Sequence, residues 1–405
     1  MKRRINSIVI WKKVKNMPKN IAIICEYNPF HNGHAYQITK IREDNPDSVI
    51  VAIMSGNITQ RGEFALFDKS TRAKVALMCG ADAVFEMPYP YCGSVAEIFA
   101  SAGVEIANSL GCDTLCFGVE ERSMAELNQI ADVIMSNEME SALKNALENK
   151  EISYVAAKEL ALKRLGVELP RMSNDMLALE YILAIRTKKY SITPMPIKRN
   201  GAGYKDTGVS EMMSATAIRA QLYQSGIVSS VPSIAKEVYL NEISNGRYLD
   251  VDKMQGLMWQ HTLLNGSSSI ENAYDAPFGI SYNLVEKAKK STTGKEFFDS
   301  LASKSLTASR AKRILLYSLF GINEVDKKPK FTILLSSNER GKALIKSSKA
   351  KEGFCVITKP SDSKKLDPVS KKQLEACYRV DEIYNTLLTK TVYPNFAYTK
   401  KPYIK

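Results

Sequence analysis

Histidine is scarce in this chain, three in 405 residues, and there are two tryptophans. The seven cysteines, at 25, 79, 92, 112, 116, 355 and 377, include no CxxC spacing. Cys112 and Cys116 lack a second ligand pair, which argues against zinc. An odd number of unpatterned cysteines fits reduced, mostly buried thiols and a cytoplasmic setting. No apolar run approaches the roughly 18 residues of a membrane helix. The apolar stretch 7–11 near the start is shorter than the about 7–15 residues of a signal-peptide core, so no translocation signal is expected. Internal repeats and low-complexity tracts are absent. Acids are in deficit: 43 Asp and Glu against 56 Lys and Arg leave a net charge of +13.

That excess is unevenly spread. Residues 1–20 carry +7, residues 21–220 carry −5, and residues 221–405 carry +11. Sign asymmetry of this kind points to a polyanion partner for one part and different work for the other. The length suits two or three domains.

Short apolar runs at 21–25, 48–54, 81–88 and 114–117 read as strands, each separated from the next by one helical pattern. Helices are expected from His34, over 69–79 and over 95–110. Single helices between strands buried on both faces predict right-handed βαβ units and a parallel sheet. A mainly helical stretch covers 124–186, and 192–199 reads as a further strand. Ser214 is placed to cap a helix that Gly226 ends. Beyond Val231 helices alternate with Lys-rich loops. Runs at 331–335 and 354–358 are strand-like, and a last helix covers 369–388. The expected division is a basic extension 1–20, an α/β nucleotide domain 21–230, and a basic, mainly helical α+β domain 231–405.

Two of the three histidines stand together in His31-Asn32-Gly33-His34, in the loop after the first strand. In doubly wound sheets, ligands bind where strands end and helices begin. A helix starting there aims free N–H groups at an anion. Gly33 lets the backbone approach closely, and two imidazoles can donate hydrogen bonds to phosphate oxygens. On this pattern alone, loop histidines with incidental polar contacts are an equal alternative. A second segment, Ser214-Ala215-Thr216-Ala217-Ile218-Arg219, sets two hydroxyls at a helix start and an Arg one turn on. It suits β- and γ-phosphates or, as plainly, an ordinary capped helix.

Together the two segments resemble the HxGH nucleotidyltransferase superfamily. The resemblance narrows to the bacterial tRNA(Met) cytidine acetate ligases. It is carried by Glu26-Tyr27-Asn28-Pro29-Phe30-His31-Asn32-Gly33-His34, by Met54-Ser55-Gly56-Asn57 with Gln60-Arg61-Gly62-Glu63, and by Ser173-Asn174-Asp175. Ile197-Lys198-Arg199, the SATAIR segment and Arg310-Ala311-Lys312-Arg313-Ile314-Leu315-Leu316 complete it. The resemblance implies a Rossmann-like domain that makes acetyl-adenylate from ATP and acetate. The acetyl group then passes to N4 of the wobble cytidine of elongator tRNA(Met).

The family's ATP-binding stretch maps onto Ile24, Cys25, Glu26, Tyr27, Asn28, Pro29, Phe30, His31, Asn32, Gly33, His34, Ala35, Tyr36 and Gln37, with Asn174 and Arg199 downstream. The family has a Gly in an FAxG segment, where this chain has Ala102 and then Gly103. His31 and His34 are the expected catalytic pair, with Ser214, Thr216 and Arg219 near the phosphates. Mg²⁺ is expected only between ATP oxygens, since no all-protein metal cage is present. Lys69 and Arg72 are candidates for acetate or a tRNA phosphate, or else a solvated helix face.

For the basic half, Arg310, Lys312 and Arg313 are expected to meet tRNA, with Arg310, Arg313 and Tyr317 on one helix face. Lys327, Lys328, Lys330, Lys346, Lys349 and Lys351 add further charge. Tyr204, Phe354, Tyr393, Phe396 and Tyr398 are candidate base platforms. Trp259, Tyr317 and His261 read as structural. Two rivals stand beside this reading. One is an HxGH adenylyl- or cytidylyltransferase acting on a small phosphorylated metabolite. The other is a non-catalytic RNA-binding protein with a degenerate nucleotide site. Oligomeric state is not legible in the sequence.

Overall fold

The structure, a computed structural model, describes residues 19–148, 154–198, 213–226, 228–303, 306–347, 353–393 and 401–405. Arg199, Tyr204, Lys349, Lys351, Phe396, Tyr398 and nearly all of the basic extension lie outside these residues. The first half alternates β1 (Asn20–Cys25), α1 (Asn32–Asp44), β2 (Val49–Ser55), α2 (Lys69–Met78), β3 (Ala83–Met87), α3 (Ala96–Ser109) and β4 (Thr114–Val119). Helices α4 (Met124–Ile134), α5 (Asn137–Leu147), α6 (Tyr154–Arg164) and α7 (Ser173–Thr187) lead to β5 (Thr193–Lys198) and α8 (Ala215–Ser225).

The second half holds α9 (Ser233–Ser244), α10 (Val251–Glu271), α11 (Ile280–Lys290), α12 (Gly294–Ser300) and α13 (Ala308–Phe320). It continues with β6 (Phe331–Ser337), α14 (Glu339–Ser347), β7 (Cys355–Ile357), α15 (Pro368–Thr386) and β8 (Tyr403–Ile404).

Strands β5-β4-β1-β2-β3 run parallel, as the alternation predicts. In-register pairs such as Ile24 with Ile53 set the apolar side chains of β1 and β2 alternately on the two faces. Ala22, Ile24, Val51 and Ile53 join one buried core, and Ile21, Ile23, Ile50 and Ala52 join the other. Both faces are covered, which is why these strands read as continuous apolar runs. The chain adds strands to one side of β1 and later to the other, so a crevice opens at the carboxyl ends of β1 and β4.

The sheet does not stop at the boundary expected near residue 230. β6 pairs antiparallel with the edge of β3, and β7 and β8 pair with β6. β3 alone would present an open edge of unpaired amides, and the run 331–335 closes it. Helix α9 also packs into the first half. The Tyr239 ring stacks on Phe67 at 4.6 Å, and its hydroxyl accepts from the Phe30 N–H at 3.0 Å. Trp259 donates to the Ala288 carbonyl at 2.8 Å, and His261 lies 2.9 Å from the Ser318 hydroxyl, both structural contacts.

Candidate active site

Helix α1 begins at the crevice, and the two histidines build its first turn. His31 is the N-cap, with extended backbone, and its Nδ1 accepts from the Gly33 N–H at 3.1 Å. The Nδ1 of His34 accepts from the His31 N–H at 3.2 Å. This is a capping box made by imidazoles instead of Ser and Glu. The rings stack with centroids 3.7 Å apart. Because each Nδ1 is an acceptor, each neutral ring carries its proton on Nε2. The pair is thus held as two N–H donors at the amino end of a helix. Tyr27 leaves β1 with a left-handed backbone (φ 49°), and its ring meets His34 edge-on at 4.8 Å.

Helix α8 is brought to the same place from 191 residues away. Arg219 donates from Nη1 to the Asn28 carbonyl at 2.8 Å and from Nη2 to the Thr216 hydroxyl at 3.3 Å. Ser214 caps the helix, accepting from the Ala217 N–H at 3.2 Å. Between the two segments lies a cavity of about 510 Å³. From the expected stretch it is lined by Ile24, Cys25, Glu26, Tyr27, Asn28, His31, Gly33, His34, Tyr36 and Gln37, and it is also lined by Asn174, Ser214, Thr216 and Arg219. Pro29, Phe30, Asn32 and Ala35 do not line it. Phe30 is fully buried behind the loop, and the Asn32 N–H donates to the Ser230 carbonyl.

The far wall is built around Asp175. This fully buried carboxylate accepts from the N–H groups of Glu120, Glu121 and Arg122 at 2.7, 2.9 and 3.1 Å, fixing the turn after β4. Asn174, next to it, donates to the Glu120 carboxylate. The near wall is the loop after β2. The Gln60 N–H donates to Glu26 at 2.7 Å, and burial pushes the Glu26 carboxyl up against the pull of that bond and of Arg219, Arg72 and Arg61. Arg61 and Glu120 line the cavity and had no role in the sequence reading. Arg61 belongs to the Gln60-Arg61-Gly62-Glu63 segment. Glu120 was findable from its place at the end of the fourth strand, beside the crevice. Among the described residues no group of three His, Cys, Asp or Glu could hold a metal.

With this geometry in view, the chain was compared with known proteins. A family profile described as HIGH Nucleotidyl Transferase matches residues 18–398. A protein of Acetivibrio thermocellus named tRNA(Met) cytidine acetate ligase is 32% identical over 94% of this chain and 97% of its own. Its namesake in Caldanaerobacter subterraneus subsp. tengcongensis is 33% identical, with the same coverage. The chain belongs to the tRNA(Met) cytidine acetate ligase family. The crystal structure of Thermotoga maritima TmcAL bound with alpha-thio ATP superposes with a TM-score of 0.86 at 26% identity, over 95% of this chain and 99% of that one.

Four candidate residues stand elsewhere than at the cavity. Ala102 and Gly103 do not line the cavity. Gly103 packs against β1, where an added Cβ would stand 2.5 Å from the Ile24 side chain, so the glycine serves close helix–strand packing. Arg72 is fully buried, not a solvated or phosphate-facing residue. Its guanidinium donates to the carbonyls of Phe67, Glu26 and Ser55 at 2.9, 2.5 and 3.2 Å, and to that of Gly56. Lys69 is also buried, paired with Glu86 at 2.7 Å and Asp381 at 2.5 Å.

On the helix face expected to touch tRNA, Arg313 and Tyr317 are turned inward, while Arg310 is partly exposed. Tyr317 is 1% exposed and donates to the Gly93 carbonyl. Arg313 is 8% exposed and reaches the Gln60 carbonyl at 3.4 Å. Arg310 grips Asp275 through two bonds of 2.7 and 3.0 Å, and Lys312 meets Glu63 at 2.5 Å. Gly62 (φ 74°) permits this docking, since a Cβ there would meet the Arg313 nitrogen at 2.7 Å. Helix α13 therefore braces the loop 59–63 that walls the cavity.

Proposed function

We propose that this protein activates acetate with ATP and transfers the acetyl group to N4 of the wobble cytidine of elongator tRNA(Met). The observation that carries the reading is the meeting of the HNGH turn and the SATAIR helix in one cavity, pinned by Arg219 on Asn28. In the first step an acetate oxygen attacks the α-phosphorus, the bond to the bridging oxygen breaks, and pyrophosphate leaves. A carboxylate is already a nucleophile, so the protein need only position it and stabilise charge. The Nε2–H groups of His31 and His34, the first amides of α1, and Arg219 are the donors for the phosphates. In the second step N4 attacks the acyl carbon, AMP leaves, and N4 loses a proton.

Mg²⁺ belongs to this reading only as the ion that accompanies ATP oxygens. Arg199 is a further ATP contact in the same proposal. The tRNA phosphates fall to exposed lysines of the basic half such as Lys327 and Lys346, because Arg313 is enclosed and Arg310, Lys312, Lys328 and Lys330 are already paired. Such contacts position RNA without reading its sequence. The site of action is the cytoplasm, where tRNA is modified. Among the described residues no helix is long and apolar enough to cross a membrane.

The test is incubation with ATP, labelled acetate and total bacterial tRNA, followed by nucleoside analysis. Label in N4-acetylcytidine is the expected result. Label in no nucleoside, or turnover of a small phosphorylated metabolite without RNA, would overturn the reading.

A further inference from the structure

A second cavity, of about 590 Å³, shares no lining residue with the first. Asn57 lines one and Thr59 the other, so the two come within two residues of each other along the loop after β2. Nothing in the acetate-activation chemistry uses it. Its walls are apolar, with Ile333, Leu335, Ile357, Pro360 and Pro402 beside the ring of Tyr378. The less buried Asp68, Ser70 and Thr358 line it as well, and its buried polar lining is Asn57, Lys69, Asp381 and Asn385, which are 3, 9, 5 and 8% exposed.

Three of these four hold one another. Asn57 accepts from the Lys69 N–H at 2.7 Å and donates to Asp381 at 2.9 Å, while the Lys69 ammonium lies between Asp381 and Glu86. The fourth is different. The side-chain amide of Asn385 makes no hydrogen bond with any described residue. A polar group this buried is ordinarily paired, so its donors and acceptor are left for whatever enters the cavity. At the rim, Lys359 and Lys401 are exposed and form no ion pair with a described residue.

The chemistry of the occupant follows. Apolar walls with one tyrosine suit a flat ring. Two lining carboxylates, Asp68 and Asp381, with a buried ammonium already paired to Asp381 and Glu86, make the interior a poor place for a bare anion, which sets acetate and inorganic phosphate aside. A carboxylate accepts from an exocyclic amine, and an Asn amide pairs with an amine and a neighbouring ring nitrogen. Uracil lacks that amine and would turn a carbonyl toward Asp381. The two rim cations lie where backbone phosphates would pass. Single-stranded RNA is recognised in this way, by unstacked bases bound in pockets along their edges.

We infer that this cavity receives one unstacked, amine-bearing base, cytosine or adenine, from the single-stranded segment of the RNA acceptor, with its phosphates at Lys359 and Lys401. The inference rests on RNA being the acceptor. Because the cavity is separate from the HNGH crevice, the base it holds is a neighbour of the reacting cytidine and not that cytidine itself.

The test uses the full chain with the ATP cavity filled by excess non-hydrolysable ATP analogue. Labelled pentamers of cytidine, adenosine and uridine are titrated by fluorescence anisotropy, with CMP as competitor. The cytidine or adenosine pentamer should bind about tenfold more tightly than the uridine one. Asn385→Leu should remove that preference. The surface variant Lys359→Ala/Lys401→Ala should weaken all pentamers and flatten their salt dependence while keeping the preference. Equal binding of the three pentamers, or a preference untouched by Asn385→Leu, overturns the inference. So does CMP binding as tightly as the pentamers, which would assign the cavity to a free nucleotide. The two readings fail separately. Absence of acetylcytidine with the unmutated protein sinks the ligase reading, whereas normal acetylcytidine and an unchanged KM for tRNA in Asn385→Leu sink only this one.

Discussion

Arg72 offers the sharpest test of how the site is held. Its guanidinium gathers four carbonyls, two of which, Glu26 and Ser55, belong to the exits of β1 and β2. Arg72→Met keeps most of the volume and removes every donor. Hydrogen bonds from a charged group contribute about 1.5–3 kcal/mol each, while release of the guanidinium from a fully buried site returns several kcal/mol. Four such bonds set against that return leave a net loss of about 3–5 kcal/mol, a large share of the roughly 5–15 kcal/mol that holds a domain folded. Arg72→Lys, whose compact head cannot span four acceptors, should lose about half as much. Urea unfolding gives the stability, and the ATP-induced thermal shift reads the crevice. Both should fall, because Glu26 precedes the HNGH turn. The salt dependence of tRNA binding should keep its slope, since Arg72 meets no phosphate. Arg72→Met within about 1 kcal/mol of the parent, or a slope lower by one phosphate contact, would refute this account.

Three further outcomes follow from the same packing. Burial pushes the Glu86 carboxyl from its ordinary 4.5 up to about 7 against the pull of Lys69, with Asp381 adding to the rise. The folded state then binds the extra proton between those values, so this group's contribution to stability falls as pH rises from about 4.5 to 7. Glu86→Gln should gain on the parent across that window in melting experiments, and a constant difference from pH 5 to 8 would contradict it. Gly103→Ala should cost about 1–3 kcal/mol through overpacking and weaken ATP binding by displacing Ile24, with partial recovery on adding Ile24→Val. His34→Ala should abolish acetate-dependent pyrophosphate release while costing only about 1 kcal/mol of stability as a lost cap. Normal adenylate yield in that variant would remove His34 from the chemistry.

What the sequence determined by itself is local. The β-branched runs, the capped helices and the HNGH turn are set by residues a few positions apart. Each expected strand of the first half lies within two residues of its expected place. Ser214 caps α8 and Gly226 ends it, as their backbone preferences require. The charge split between the halves also needs no fold.

The tertiary structure decided which side chains are available. Lys69, Arg72 and Arg313 read as surface cations because a helical pattern alone does not say which face is buried, and the neighbouring acid, Asp68, serves as the N-cap of α2. The contacts that enclose them come from other elements, and for Lys69 one partner is Asp381, more than 300 positions on. The run 331–335 reads as a strand, but only an open edge on β3 decides that it extends the first sheet and does not begin another. Burial and long-range pairing are properties of the assembled chain, so a cation's role cannot be settled from its neighbours in sequence. The same holds for Asn385, which is an ordinary helical residue until the fold buries it beside an open cavity.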